Sequence, residues 1–232
     1  MAATPSCIPW WEIYQPVTYD LTSRMGHEDQ IKRMVRKCRE AGVKVYVDAL
    51  INHMTGQGNT SYGGVDYKPY NYPDYGPNDF HFKTGECPSS DGGIQDFNNR
   101  LQVFKCNLVG LEDLRTETYK VQGQLAAYLN KLIGYGVSGF RVDAAKHIGQ
   151  DDLDAVYSRL HKTKDGVKPY RALDAVVAVG YLSSQHSHIT TAASESASLS
   201  ASLRCEARSV PARQHAKRRR DLLRRLWCWT NF

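Results

Sequence analysis

Long apolar runs are missing from this chain of 232 residues. Nothing in it approaches the 18 or so consecutive residues of a membrane-spanning helix. The start, MAATPSCIPWW, lacks the charged lead and apolar stretch of a secretory leader. Cysteine is sparse, at six residues with none in CxxC spacing, which excludes the common ligand pattern of structural zinc. Most of the chain also lacks a surplus of either charge. The formal net charge is +6, but residues 204–225 hold nine Lys or Arg against Glu206 and Asp221, a local +7, and the remainder sums to −1. The body therefore shows no electrostatic footprint of a nucleic-acid or membrane binder. What is present is a 41% hydrophobic composition, enough for a real core in one or two domains.

Periodicity orders the chain into alternating helices and strands. Residues 27–41 place Ile31, Met34, Val35 and Cys38 at helical intervals before Gly42, which predicts an amphipathic helix with a glycine stop. The run 43–51, VKVYVDALI, predicts a strand buried on both faces. Between Met54 and Gly110, glycine and proline recur too often for a regular helix, so this stretch reads as a functional loop or small inserted domain. A helix over 117–133 follows, with Val121, Leu125, Tyr128, Leu129, Leu132 and Ile133 as one stripe, Thr116 as cap and Gly134 as stop. Residues 137–142 predict a further strand and 151–161 a further helix, so helices join parallel strands.

The densest chemistry lies in Gly139-Phe140-Arg141-Val142-Asp143-Ala144-Ala145-Lys146-His147. Arg141 and Asp143 share a strand face. A guanidinium beside a carboxylate keeps it ionised and oriented, as a nucleophile requires. The same spacing also suits a purely structural ion pair. If the chain turns helical after Asp143, His147 returns to that side one turn on.

GFRVDAAKH closely resembles the nucleophile motif of the α-amylases, a family of retaining glycosidases. Three other stretches resemble the same family in the same order, PWWEIYQP, VYVDALINHM and CNLVGLEDL, and together they cover about residues 9–174. The resemblance implies an α/β fold of (β/α)8 barrel type, incomplete here at about strands 3–5, with a loop-rich calcium-binding domain inserted after the third strand. It divides the chain into barrel at 1–53 and 113–174, insertion at 54–112, and an unmatched tail at 175–232. The implied activity is endo-hydrolysis of α-1,4-glucosidic bonds in starch-like glucans with retention. Asp143 would be the nucleophile and Asp174 would stand at the general-acid position. Trp10, Trp11, Tyr14, Gln15, His53, Arg141, Lys146 and His147 would contact sugar, the aromatic faces by stacking; on residue type alone those rings serve equally as core caps. Asn52, Asp113 and the backbone carbonyl of His147 would bind calcium, with Glu112 as a neighbour that could confuse the register. Arg141 matches a chloride-binding position of animal-type members. Cys87 and Cys106 match a family disulfide, and Cys38 matches a second whose partner position lies upstream. The family context implies a secreted monomer whose leader precedes Met1, with a glucan partner and neither nucleic acid nor membrane.

The chain departs from the family at its far end. The general acid is a glutamate in the family and Asp174 here, one methylene shorter. Beyond it no His-Asp dipeptide carries the third family carboxylate, residues 183–202 contain eight serines, and KRRR at 217–220 resembles a nucleic-acid patch. Two alternatives follow: an inactive fragment that at most binds glucan, and a basic tail that binds nucleic acid.

Overall fold

A computed structural model describes residues 10–174 and 228–230. Two sheets and four α-helices make up this part, joined by three 3-10 turns, Trp10–Tyr14, Pro77–Asp79 and Ala145–His147. Helix α1 (Glu28–Glu40) starts at His27 and ends at Ala41, just before Gly42 at φ +74°. Strand β1 (Val45–Ala49) follows, then the short β2 (His53–Met54). Helix α2 (Arg100–Lys105) lies inside the glycine-rich stretch, capped by Asn99, and β3 (Glu112–Asp113) closes that stretch by pairing antiparallel with β2. The neck is tight. A Cβ on Gly56 would fall 1.7 Å from the Gly110 carbonyl oxygen, so the entering and leaving backbones touch where only glycine fits.

Helix α3 (Tyr119–Tyr135) corrects two expectations. Its cap is Thr118, whose hydroxyl accepts from Val121 N, while Thr116 bonds Asp152 instead. Its stop is Gly136, left-handed at φ 110°, and Gly134 lies within the helix. The apolar stripe cannot separate neighbouring threonines or glycines as caps. Strand β4 (Gly139–Val142), helix α4 (Gln150–Ser158) and strand β5 (Tyr170–Leu173) complete the alternation. Strand β4 and helix α4 are a little shorter than the pattern suggested, because ladder and helix bonds stop before apolar burial does.

The main sheet is parallel, in the order β5-β4-β1-β6, where β6 is Cys228–Thr230 from the tail. Apart from those three residues, the readings of the tail as Ser-rich, disordered or nucleic-acid binding lie outside the described residues. Strands β1, β4 and β5 stand side by side in chain order with helices between them, as the barrel reading requires. One sheet face is apolar: Val45, Val47, Ala49, Phe140 and Val142 are buried with Val35 of α1, Leu125, Leu129 and Leu132 of α3, and Leu153 of α4. The same core extends into the inserted stretch, where Tyr70, Tyr72 and Tyr75 pack about Phe80. Cys87 and Cys106 form the expected disulfide. No helix among the described residues is long and apolar enough to cross a membrane.

Candidate active site

Strand register decides which polar side chains meet. Asp48 lies opposite Arg141, and Arg141 opposite Ala172. Side chains alternate along each strand, so Asp143 and Asp174, two residues beyond Arg141 and Ala172, follow on the same face. The carboxyl-terminal ends of parallel strands therefore gather three carboxylates about one guanidinium. Arg141 Nη1 is 2.9 Å from Asp48 Oδ1 and 3.6 Å from Asp143 Oδ1, and Nη2 contacts Asp174 Oδ2 directly. Backbone bonds hold the strand ends in place, from Asp143 N to Ala49 O and from Asp174 N to Val142 O.

Burial pushes the Asp143 carboxyl up to about 6; Arg141 opposes the rise, and Asp174 and Asp48 add to it. An oxygen nucleophile with that titration is ionised at neutral pH. The chain then turns sharply through Ala144 at φ 51° into the 3-10 turn Ala145–His147. This turn carries His147 toward the inserted stretch, where Nδ1 donates to Val103 O at 3.0 Å and the ring meets Phe97 edge-on. Lys146 is exposed.

The N-terminal 3-10 turn closes over these strand ends. Tyr14 donates to Asp48 Oδ2 at 2.9 Å, and its hydroxyl is held far above the ordinary phenol range by burial and by Asp48. Trp11 is exposed at the groove between this turn and the loop about Tyr62, a cavity of about 770 Å³ that Gln15 also lines. Gln15 Oε1 accepts from Thr55. Trp10 belongs to the same turn. His53 sits beneath, wholly buried, with Nε2 3.1 Å from the Tyr14 carbonyl. Burial lowers its pKa to about 4, so the ring is neutral and donates that bond.

Beside the active face lies a second polar cluster. Asp113 is 1% exposed; Oδ2 accepts from His81 Nδ1 at 2.5 Å, and Oδ1 is buried too. Burial raises this carboxyl to about 7 against the pull of His81, and the Asn52 amide lies beside it. The Asn52 amide donates toward the carboxyl here, and a carboxylate and an amide from two neighbouring segments are side chains whose oxygens are hard ligands of the kind calcium takes. The neighbouring Glu112 is differently committed: it accepts from Tyr72 OH and Tyr70 N, each at 2.6 Å. Of the two adjacent acids, Glu112 is thus tied to tyrosines and Asp113 to His81. His81, Glu86 and Glu117 also bring three ligand atoms within 4.8 Å of one another. The Lys105 ammonium already sits among them, 2.9 Å from His81 Nε2, 3.4 Å from Glu86 and 3.2 Å from Glu117. Sequence reasoning passed over His81, because a single histidine in an aromatic stretch carries no spacing signal.

The family model for the alpha amylase catalytic domain matches residues 16–187. An alpha-amylase of Thermomonospora curvata is 48% identical over 171 residues, covering 70% of this chain and 27% of that protein. The pancreatic alpha-amylase of Sus scrofa is 44% identical over 159 residues, covering 66% and 31%. Among solved structures, alpha-amylase I of Eisenia fetida superposes with a TM-score of 0.70 at 42% identity, covering 74% of this chain and 36% of that one. The chain thus spans about a third of the length of these relatives.

Proposed function

The chain belongs to the alpha-amylase family through part of the catalytic domain, and on that premise we propose that its site acts on α-1,4-linked glucans of the starch type. The observation that carries this reading is the set of carboxylates held at the ends of adjacent parallel strands by Arg141. Support for the substrate class comes from the relative of Eisenia fetida, which was also solved as a maltohexaose complex.

In this reading the reaction proceeds with retention. Asp143 attacks the anomeric carbon and forms a glycosyl ester, while Asp174 protonates the departing glycosidic oxygen and then takes a proton from the water that cleaves the ester. Arg141 keeps the nucleophile oriented. Trp11 and Tyr14, with Trp10 in the same turn, would offer ring faces to sugar, and Gln15 and Lys146 would place polar atoms around it; sugar contacts by His53 and His147 would require their buried rings to be uncovered, since they bond the Tyr14 and Val103 carbonyls. Asn52, Asp113 and the His147 carbonyl would hold calcium, whose chemistry is to clamp the inserted stretch against the strand ends. No step runs through a chloride, because both Nη groups of Arg141 already face carboxylates. A secreted protein that works as a monomer fits this substrate.

Asp174 favours a second reading, glucan binding without turnover. Its carboxyl is one methylene shorter than glutamate and is engaged by Arg141, whereas a general acid must reach the glycosidic oxygen. Reducing-end release from soluble starch with calcium, compared between this chain and Asp143→Asn, separates the two. Release that the substitution abolishes supports hydrolysis at Asp143; no release from either protein leaves binding alone.

A further inference from the structure

His81 lies outside every role assigned so far, yet it is 1% exposed and bonded at both ring nitrogens. Nδ1 is 2.5 Å from Asp113 Oδ2, and Nε2 is 2.9 Å from both Glu117 Oε2 and the Lys105 ammonium, which itself pairs with Glu117. Against the pull of burial, Asp113 and Glu117 both favour the protonated imidazole, which is then the donor toward Asp113 through Nδ1. The three side chains form a line from a half-exposed glutamate, through a buried imidazole, to a buried aspartate. The backbone repeats the attachment, since His81 N donates to Asp113 O. The His81 carbonyl is fixed in turn by Glu86 N and the Thr84 hydroxyl.

This line has a consequence for the far oxygen of Asp113. With Oδ2 tied to His81 and the Asp113 backbone N–H tied to Asn107 Oδ1 at 3.0 Å, the carboxylate plane has little freedom. Oδ1 is then aimed away from His81 and buried, with the Asn52 amide as the neighbouring group on that side of the carboxyl. We infer that His81, itself oriented by Glu117, is a positioning residue that presents Asp113 Oδ1 to a divalent cation. The arrangement follows a general rule, that carboxylates binding metal are themselves hydrogen-bonded from outside, and that loss of such a partner typically weakens metal affinity about 10- to 100-fold. The inference rests on the calcium reading above. It also assigns the His81, Glu86 and Glu117 cluster a supporting role, because Lys105 and Arg115 supply its positive charge.

Calcium titration of the full chain by calorimetry tests this, with melting in chelator as a separate readout of the metal-free fold. His81→Leu removes the donor, whereas His81→Asn places an amide nitrogen near the position of Nδ1. The expected result is calcium binding weakened about 10- to 100-fold in the leucine variant and largely restored in the asparagine variant. Unchanged affinity in a folded His81→Leu protein overturns the inference, as does equal weakening in both variants. If the leucine variant does not fold, Glu117→Gln at the outer end decides: weaker binding supports the line, and unchanged binding overturns it. A parent chain that binds no calcium, or binds it as well after Asp113→Asn, removes the site reading and this inference together. A parent that loses calcium with Asp113→Asn but not with the His81 and Glu117 variants removes this inference alone.

Discussion

At the scale of single residues, the role proposed for Asp143 and the stability of the chain pull against each other. Its folded pKa of about 6 exceeds the ordinary 3.8 because burial disfavours the anion. For a carboxyl shifted upward, the sign is that folding is favoured while the group is protonated, below about pH 4, and that this contribution is lost as pH rises through about 6. Asp143→Asn should therefore stabilise the chain at pH 7 by about 2–3 kcal/mol, the gain fading toward pH 4. Chemical denaturation at the two pH values measures it, and an equal gain at both would sink the burial argument. Asp174 poses a question of reach. A displacement of about 1 Å can cost about a hundredfold in rate, so Asp174→Glu should raise starch hydrolysis by up to about that factor; a rate no higher than the parent's would mean that reach does not limit this site. Arg141 and Asp143 could be paired from the sequence because they sit two apart on one strand. Asp48 and Asp174 could not, since their approach depends on register between strands.

At the scale of elements, the inserted stretch is the part least supported by regular structure. Between β2 and β3 the described chain has one two-turn helix and short 3-10 geometry, so side-chain bonds and a covalent link replace ladders. Its disulfide joins residues 19 apart, and closing a loop of that size contributes about 3 kcal/mol by chain entropy. Replacing Cys87 and Cys106 by serine should lower stability by about 2–4 kcal/mol and expose the segment about α2 first. Hydrogen exchange resolved along the chain checks this; uniform loss of protection would contradict it. Strand β4 depends on close backbone approach instead. A Cβ on Gly139 would lie 2.5 Å from the Tyr170 carbonyl oxygen, so glycine there lets β5 come close enough to carry Asp174 to Arg141. Helices α1 and α3 were legible because their apolar stripes are long. The insertion was legible only as irregular, since its tyrosine cluster follows no period.

Across the whole molecule, two structures meet at the polar cluster: the parallel sheet, through Asn52 after β1 and the turn after β4, and the insertion, through β3. A cation held by Asp113, Asn52 and the His147 carbonyl would tie them together. Chelation should then lower the melting temperature, and calcium at about 100 times its dissociation constant should restore about 2.7 kcal/mol; a transition indifferent to chelator would argue against a resident ion. The sequence by itself determined the alternation of helix and strand, the family, and the residue types at the strand ends, because apolar period and short motifs are local properties of the chain. It also supplied the pairing of Cys87 with Cys106 through resemblance. Only the tertiary structure decided that Asp48, Asp143 and Asp174 converge on one guanidinium, and that Glu112 is committed to tyrosines while Asp113 is tied to His81. Those outcomes depend on register and on contacts between residues tens of positions apart, which no local pattern encodes.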